Sequence, residues 1–546
     1  MEGGALVLVE TILLLLLAVV VSGALARITR IALPLVQIAL GAGIVLLTGE
    51  SVVLHPQLFF LLFLPPLLFL DGWRIPKEDL VRDRAFILEL ALGLVVFTVL
   101  GVGLLIWWMI PAMPLGVAFA LAAILSPTDP IAVAAIAKRA PIPKRLMHVL
   151  EGESLLNDAS GLVCMKFAVA AVLTGTFSLA SAAGTFLWLA VAGVAVGVGV
   201  TLAINAAKAF VSRRWGEDSG AQIIVSLLIP FAAYLAAEHL HASGILAAVA
   251  AGVTMAFTER TGAALAVTRI RRTAVWDTVA FAANGVIFVL LGEQMPAIVS
   301  GAARVASTTG RGEVWWLAVY VVVIFAALAL LRFAWVWVSL RLTMFRTKGE
   351  DKPRMGWRLV LVTSLAGVRG AITLAGILTL PLLMPDGSAF PVRDLAIFLA
   401  ACVIILSLIT ATLLLPRLLD GLELPPEPSS LEREDLARTV AAGAAMQAIE
   451  QAQHRIAADP AVIDVSTEIA ARLMEVYRSR IELRSGTPEA AGVDRVRLDA
   501  IEKQLRLAGL AAERAEIRKL ARAREIDEAV ARKLVREIDL QEARYG

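Results

Sequence analysis

The residue in this 546-residue chain around which chemistry can be built is Asp158. It ends the run Glu151-Gly152-Glu153-Ser154-Leu155-Leu156-Asn157-Asp158, after which the sequence turns apolar. On a helix, with about 100° between residues, Ser154 and Asp158 stack on one face and Glu153 and Asn157 on the neighbouring one. The apolar stretch begins near Val149, so Asp158 lies about 9 residues, or roughly 13 Å, inside it. A carboxylate at that depth in a membrane is costly unless it binds a cation or a proton, or faces water. Burial favours the protonated carboxyl, whereas a nearby Na⁺ or arginine favours the ionised one. One such group holds a proton or a metal ion but hardly both. If it is exposed first to one side of a membrane and then to the other, cation is exchanged for H⁺ without covalent chemistry.

Oxygen ligands surround this position in sequence. Ser126-Pro127-Thr128-Asp129-Pro130 interrupts an apolar run, and Pro127 and Pro130 deprive the carbonyls of Ala123 and Ser126 of helical partners. Asp129 before Pro130 reads as an N-cap followed by a first-turn proline, so a second half-helix is predicted to start there. Asp158, Ser154, Asp129, the hydroxyl or carbonyl of Thr128 and the freed backbone carbonyls make a hard-oxygen set suited to Na⁺ and Li⁺, and also to K⁺. A second interruption, Leu365-Ala366-Gly367-Val368-Arg369-Gly370-Ala371, puts an arginine between two glycines. Glu153 is the predicted partner of Arg369, and Asp129 is predicted to offset the positive half-helix ends. Arg332 is a second cation inside an apolar run, and Asp71, at the inner end of the third run, is a candidate partner for it. For that pair a structural role and a transport role stand side by side.

The elements that position these groups follow from composition. The chain is 59% hydrophobic and 18% charged, with a mean hydropathy of +0.79, which excludes a water-soluble globular protein. Apolar runs of helix length, without alternating strands, also exclude a porin-like barrel. Thirteen spans are predicted, near 5–26, 31–49, 56–71, 85–110, 112–136, 149–173, 185–211, 219–239, 243–259, 274–291, 313–340, 357–380 and 393–419. Alternate loops carry twenty-three Lys and Arg against three in the intervening ones, which places the N-terminus outside and the C-terminus in the cytoplasm. The first run has an acidic leading flank and is predicted to be retained rather than cleaved.

With span 7 as a linker, the interruptions fall in spans 5 and 12 of two six-helix halves. Paired broken helices of this kind point to an inverted-repeat secondary transporter with its site at the midplane. The predicted fold is therefore an all-α polytopic membrane protein with two inverted repeats and crossed discontinuous helices. Its predicted domains are 1–419 in the membrane, a Pro-rich linker at 420–430, and a helical cytoplasmic domain at 431–546. From Asp420 onward there are 20 Lys+Arg and 24 Asp+Glu, a mixed and solvated surface, with amphipathic stretches at 470–483 and 525–543. Regulation or dimer stabilisation is the role suggested for it, with no partner identified.

Other features carry less. Lys166 reads as snorkelling and His148 as a possible pH-sensing group, while His239 and His241 lack the further ligands of a metal site. Cys164 and Cys402 lie within apolar runs and imply no disulfide. No nucleotide loop, cofactor motif or nucleic-acid-binding patch is present in the sequence.

Four motifs resemble one family. They are Leu64-Pro-Pro-Leu-Leu-Phe-Leu-Asp-Gly-Trp73, Ser126-Pro-Thr-Asp-Pro-Ile-Ala-Val133, Gly152-Glu-Ser-Leu-Leu-Asn-Asp158 and Gly367-Val-Arg-Gly-Ala-Ile-Thr373. In that order they are similar to the NhaP-type Na⁺/H⁺ antiporters, relatives of the animal sodium/proton exchangers. The resemblance implies a plasma-membrane exchanger of Na⁺ and Li⁺ for H⁺ serving pH and sodium homeostasis, with K⁺/H⁺ exchange as the alternative and Na⁺-coupled solute symport behind it. It implies a thirteen-helix homodimer with an elevator-like movement. Asp158 would be the shared ion and proton site, with Ser154, Asp129 and the Thr128 backbone helping to coordinate. Asn157 would steady the crossing and Glu153 would pair with Arg369. Asn157 in place of a second acid matches electroneutral, one-for-one members. Asp71 stands where a glutamate is frequent.

Overall fold

The computed structural model describes residues 2–49, 56–74, 89–130, 133–134, 144–175, 179–216, 218–258, 266–307, 313–346, 357–420, 430–456, 463–482, 488–523 and 528–542. Many of the predicted loop cations, among them Lys77, Arg82, Lys138, Arg139, Lys352 and Arg354, lie outside these residues, as does most of the Pro-rich linker. The chain divides into two compact units, Met1–Leu424 and Pro425–Gly546.

The first unit is helical. In chain order it holds α1 (Glu2–Thr29), α2 (Leu33–Thr48), α3 (Pro56–Arg74), α4 (Val95–Met109), α5 (Leu115–Leu125), α6 (Lys144–Thr174), α7 (Leu179–Trp215), α8 (Ser219–His239), α9 (Gly244–Thr258) and α10 (Ala266–Ser300). It continues with α11 (Ala302–Ser307), α12 (Trp315–Arg346), α13 (Trp357–Leu365), α14 (Ala371–Leu378) and α15 (Arg393–Leu419). Among the described residues eight helical stretches are long and apolar enough to cross a membrane, those of α1, α4 with the turn before it, α6, α7, α8, α10, α12 and α15. Among the described residues the extended pairing is one isolated bridge between Leu383 and Ala389.

Local chemistry explains several boundaries. Asp218 caps α8, its carboxylate accepting from the N–H groups of Gly220 (3.0 Å) and Ala221 (3.4 Å). Gly49 ends α2 in the left-handed conformation at φ 73°, its N–H returning to the Val45 carbonyl. Before α4 the backbone forms a π turn, Glu89–Leu94, where a regular helix is the simple expectation. There Gly93 admits the Trp335 ring, and the Glu89 carboxylate accepts from Ser339 Oγ at 2.7 Å.

The closest helix crossings rest on glycines that meet backbone. A Cβ at Gly72 of α3 would lie 2.6 Å from the Val249 carbonyl oxygen of α9, and one at Gly252 would overlap the Phe69 carbonyl. Gly41 of α2 and Gly292 of α10 stand in the same relation to Val289 and Ile38. Small residues give such helices a van der Waals interface that lipid-facing leucines cannot. The main apolar cluster gathers around α5, α14 and α15, where Val117, Ala120 to Ala123 and Leu125 have no accessible surface.

The second unit holds α16 (Ser430–Ile456), α17 (Ile463–Glu482), α18 (Pro488–Arg522) and α19 (Glu528–Glu542). α16 packs on α17, and α18 on α19 around Leu510, Ile517, Ala531 and Ile538. Arg514 of α18 pairs with Asp539 at 2.9 Å and with Glu542.

Candidate functional site

Both sequence interruptions are real breaks, and they touch. α5 ends at Leu125 and helical structure resumes at Pro130, while α13 ends at Leu365 and α14 starts after Gly370. The Asp129 N–H donates to the Val368 carbonyl at 2.7 Å, joining one break to the other. Helix ends carry unpaired backbone groups and partial charges, negative at C-termini and positive at N-termini. The buried Arg369 side chain answers the negative ends. Its Nε donates to the carbonyl of Leu125 at 3.0 Å, the last residue of α5, and its Nη1 to Gly367 at 2.5 Å, beyond the end of α13. Its N–H donates to Ser407 Oγ on α15 at 3.2 Å. Asp129 stands at the positive ends: its carboxylate occupies the space that a Cβ at Gly370, the N-cap of α14, would fill.

α6 runs past this crossing at close range. A Cβ at Gly161 would lie 2.5 Å from the Pro127 ring and 2.8 Å from the Ala123 carbonyl oxygen. Asn157 Nδ2 donates to Thr128 Oγ1 at 3.1 Å and to Glu153 Oε1 at 3.5 Å, tying α6 to the break. Its Oδ1 is buried without a hydrogen-bond partner among the described residues. Ser154 Oγ lies 3.5 Å from Asp158 Oδ2, as the shared helix face requires.

The predicted ion pairs are corrected. Glu153 pairs with Arg332, not with Arg369: Nη1 and Nη2 of Arg332 reach its two oxygens at 2.5 and 2.7 Å, with both side chains no more than 2% exposed. Arg332 also donates from Nε to the Thr363 carbonyl at 3.3 Å and lies where a Cβ at Gly367 would be. The physical reason is that Arg369 is occupied by the carbonyls at the two helix ends, which have no other donor within their helices. A bidentate carboxylate then falls to the second buried guanidinium, whose planar fork matches it. Asp71 is accordingly not the partner of Arg332.

Instead Asp71 faces the site. A cavity of about 30 Å³ is lined by Asp71 and Leu67 from α3, Asn284 from α10, Thr128 and Asp129 from the first break, Ser154 and Asp158 from α6, and Gly370 and Thr373 at the second. That volume suits one or two water-sized guests. Among the described residues no three His, Cys, Asp or Glu form a group that could hold a metal ion by themselves. The cavity thus offers three carboxylates spread around neutral oxygens. Of the sequence candidates, Asp158, Asp129, Ser154, Thr128 and Asp71 meet at this cavity. Asn157, Glu153, Arg369 and Arg332 hold its walls.

Asn284 and Thr373 were not identified as site residues by sequence reasoning. The available signal was an amide within the apolar run Phe281-Ala-Ala-Asn-Gly-Val286, and a hydroxyl one turn after Gly370. Arg74 pairs with Asp277, linking α3 to α10. Lys166 is exposed.

Comparison with known proteins bears on the same segment. The family described as sodium/hydrogen exchanger, transmembrane, matches residues 13–421. An uncharacterized Na⁺/H⁺ exchanger of Escherichia coli K12, YjcE, is 41% identical over 542 residues, covering 98% of each chain. A sodium, potassium, lithium and rubidium/H⁺ antiporter of Bacillus pumilus is 38% identical over 506 residues, covering 92% of this chain and 73% of its own. Among solved structures, the sodium proton antiporter MjNhaP1 of Methanocaldococcus jannaschii superposes with a TM-score of 0.59 over 77% of this chain and 99% of its own. At 16% identity that likeness concerns the fold.

Proposed function

The chain belongs to the sodium/hydrogen exchanger family, and from that premise we propose that it moves Na⁺, and also Li⁺, against H⁺ through alternating access at Asp158. Its relatives are named as exchangers and antiporters, transporters rather than enzymes. The observation that carries the reading is the meeting of Asp158, Asp129 and Asp71 at one small oxygen-lined cavity beside two broken helices. Three carboxylates around so little space repel one another strongly unless a cation or a proton sits among them. Either guest relieves that repulsion, and each excludes the other at Asp158. One carboxylate that trades one positive charge for another supports an electroneutral, one-for-one cycle.

Access alternates when α6 and the crossed half-helices move past α3 and α10. The cavity is well suited to this, because Leu67 and Asp71 approach it from α3 and Asn284 from α10, while the other lining groups belong to the crossing and α6. The thirteen-span, inverted-repeat description counts α2, α3, α5 with its continuation, α9, and α13 with α14 as spans beside the eight long ones. Reciprocal packing supports it: exchanging the halves turns the α2–α10 crossing into the α9–α3 crossing, and both use a glycine on each helix. The N-terminus is then outside and the C-terminus cytoplasmic, in a plasma-membrane homodimer. The domains are 1–419 for exchange, 420–430 as linker, and 431–546 as a helical regulatory or dimer-stabilising part.

K⁺/H⁺ exchange is the second reading, favoured by the Bacillus relative whose name includes potassium and rubidium. Symport of an organic solute fits less well, because drug-sized ligands take pockets of about 300–1,000 Å³. The test is proton movement in proteoliposomes on adding Na⁺, Li⁺ or K⁺. Na⁺ and Li⁺ are expected to trigger it and Asp158→Asn to abolish it. Movement that persists in Asp158→Asn refutes the mechanism, and a response to K⁺ alone promotes the second reading.

A further inference from the structure

We propose that Thr373 is a cation ligand supplied by the second interrupted helix, and that its hydroxyl helps set the preference among alkali cations. The inference rests on Asp158 being the exchange site and adds to it a ligand from the opposite half of the fold.

Thr373 is 2% exposed and lines the cavity together with Asp129 and Asp158. It lies three residues after Gly370, and positions i and i+3 share a helix face. Gly370 is the residue whose backbone the Asp129 carboxylate abuts, so this face of α14 is the one turned to the acid.

The hydroxyl is not spent on the helix. Buried threonines in helices usually donate back to a carbonyl one turn earlier. Buried Thr363 and half-buried Thr410 and Thr412 do so, to Leu359, Leu406 and Leu408 at 2.8, 2.7 and 2.7 Å, whereas buried Thr201 in α7 does not. Thr373 makes no such bond among the described residues. A buried hydroxyl beside carboxylates that bind a cation has a natural use as a neutral oxygen ligand, since hard cations take oxygen. Thr128 plays the matching part from the first break, so each interrupted helix contributes one neutral oxygen and the second break gains a chemical role beside its structural one. Small ions bind through close, strongly oriented dipoles, so losing one oxygen penalises Li⁺ and Na⁺ more than K⁺.

The experiment measures Na⁺, Li⁺ and K⁺ dependence of proton movement in proteoliposomes, and Na⁺ binding to purified protein by calorimetry, for wild type, Thr373→Val, Thr373→Ser and Asp158→Asn. Valine keeps the shape without the hydroxyl, and serine keeps the hydroxyl. Thr373→Val is expected to weaken Na⁺ and Li⁺ about fivefold, the worth of roughly one hydrogen bond, and to affect K⁺ less. Thr373→Ser is expected to stay within about twofold of wild type by the same measure. A Thr373→Val protein indistinguishable from wild type overturns the ligand, while loss of exchange in Asp158→Asn keeps the wider reading standing. Equal losses in the valine and serine variants also overturn it, because they assign the effect to packing. Wild type that moves no protons with any cation removes both.

Discussion

The break after α5 brings an aspartate between two prolines, whereas the break after α13 brings an arginine between two glycines. Their side chains go to different places. Asp129 reaches the cavity and the N-terminal end of α14, while Arg369 turns to the carbonyls of Leu125 and Gly367. A crossing of four half-helices presents two positive and two negative ends, and one anion and one cation neutralise them. The difference lies in what each charge does besides. Arg369 gives two of its side-chain donors to backbone carbonyls, whereas Asp129 shares its carboxylate with the cavity. The charge of one break is spent on backbone, and the charge of the other faces the cavity.

That division makes Arg369→Ala the most damaging change. It strips donors from two buried carbonyls, each worth about 1–3 kcal/mol when left unsatisfied, and removes the charge that offsets two helix ends. Unfolding of the detergent-purified protein should occur at a much lower temperature than wild type, with Arg369→Lys recovering part of the loss. An unchanged unfolding temperature would erase the structural role of the second break. Next in size is Glu153→Gln, which leaves Arg332 buried beside a neutral amide at a cost of about 3 kcal/mol. A double-mutant cycle should give Glu153 and Arg332 a coupling of about 1–3 kcal/mol and Glu153 and Arg369 much less. The reverse order would restore the pairing read from sequence. Smaller again is Gly370→Ala. The backbone there has φ −133°, which alanine adopts freely, so the harm comes from a methyl group meeting the Asp129 carboxylate. Overpacking of this kind costs about 1–3 kcal/mol. Cation-driven proton movement should fall with it, and an active, stable Gly370→Ala protein would mean that Asp129 does not need to sit there.

The breaks themselves were legible in the sequence because proline and glycine act locally: Pro127 and Pro130 remove N–H groups wherever the rest of the chain lies. The face carrying Ser154 and Asp158 was legible for the same reason, since helical spacing needs only neighbours in sequence. Partner choice was not. Glu153 and Arg332 are 179 residues apart, and depth along an apolar run cannot say which of two buried arginines a carboxylate meets. The preference for Arg369 assumed that a guanidinium at a break needs an acid, whereas the helix-end carbonyls made by the break supply the acceptors. Asp71 was assigned to Arg332 on similar grounds. Its place at the cavity depends on the α3–α9 crossing at Gly72 and Gly252, a long-range contact with no local trace. Asn284 was missed because a lone amide in an apolar run has many possible uses, and only its neighbours decide among them.

The smallest effect on stability should come from Asp129→Asn, and it tests the comparison most sharply. Asparagine keeps the size of the side chain beside Gly370, and the backbone N–H bond to Val368 is untouched by the change. What disappears is one negative charge near helix N-termini, worth about 0.3–1 kcal/mol at ordinary sites. Unfolding temperature should therefore stay close to wild type. Exchange should not, because the cavity loses one of the three carboxylates that attract a cation. The cation concentration needed for half-maximal proton movement should rise at least about tenfold, equivalent to 1.4 kcal/mol of binding. A protein that unfolds early yet exchanges normally would put Asp129 in the same class as Arg369. The two breaks would then differ only in the sign of their charge, and the cation would have to be held by Asp158 and Asp71 from opposite walls of the cavity.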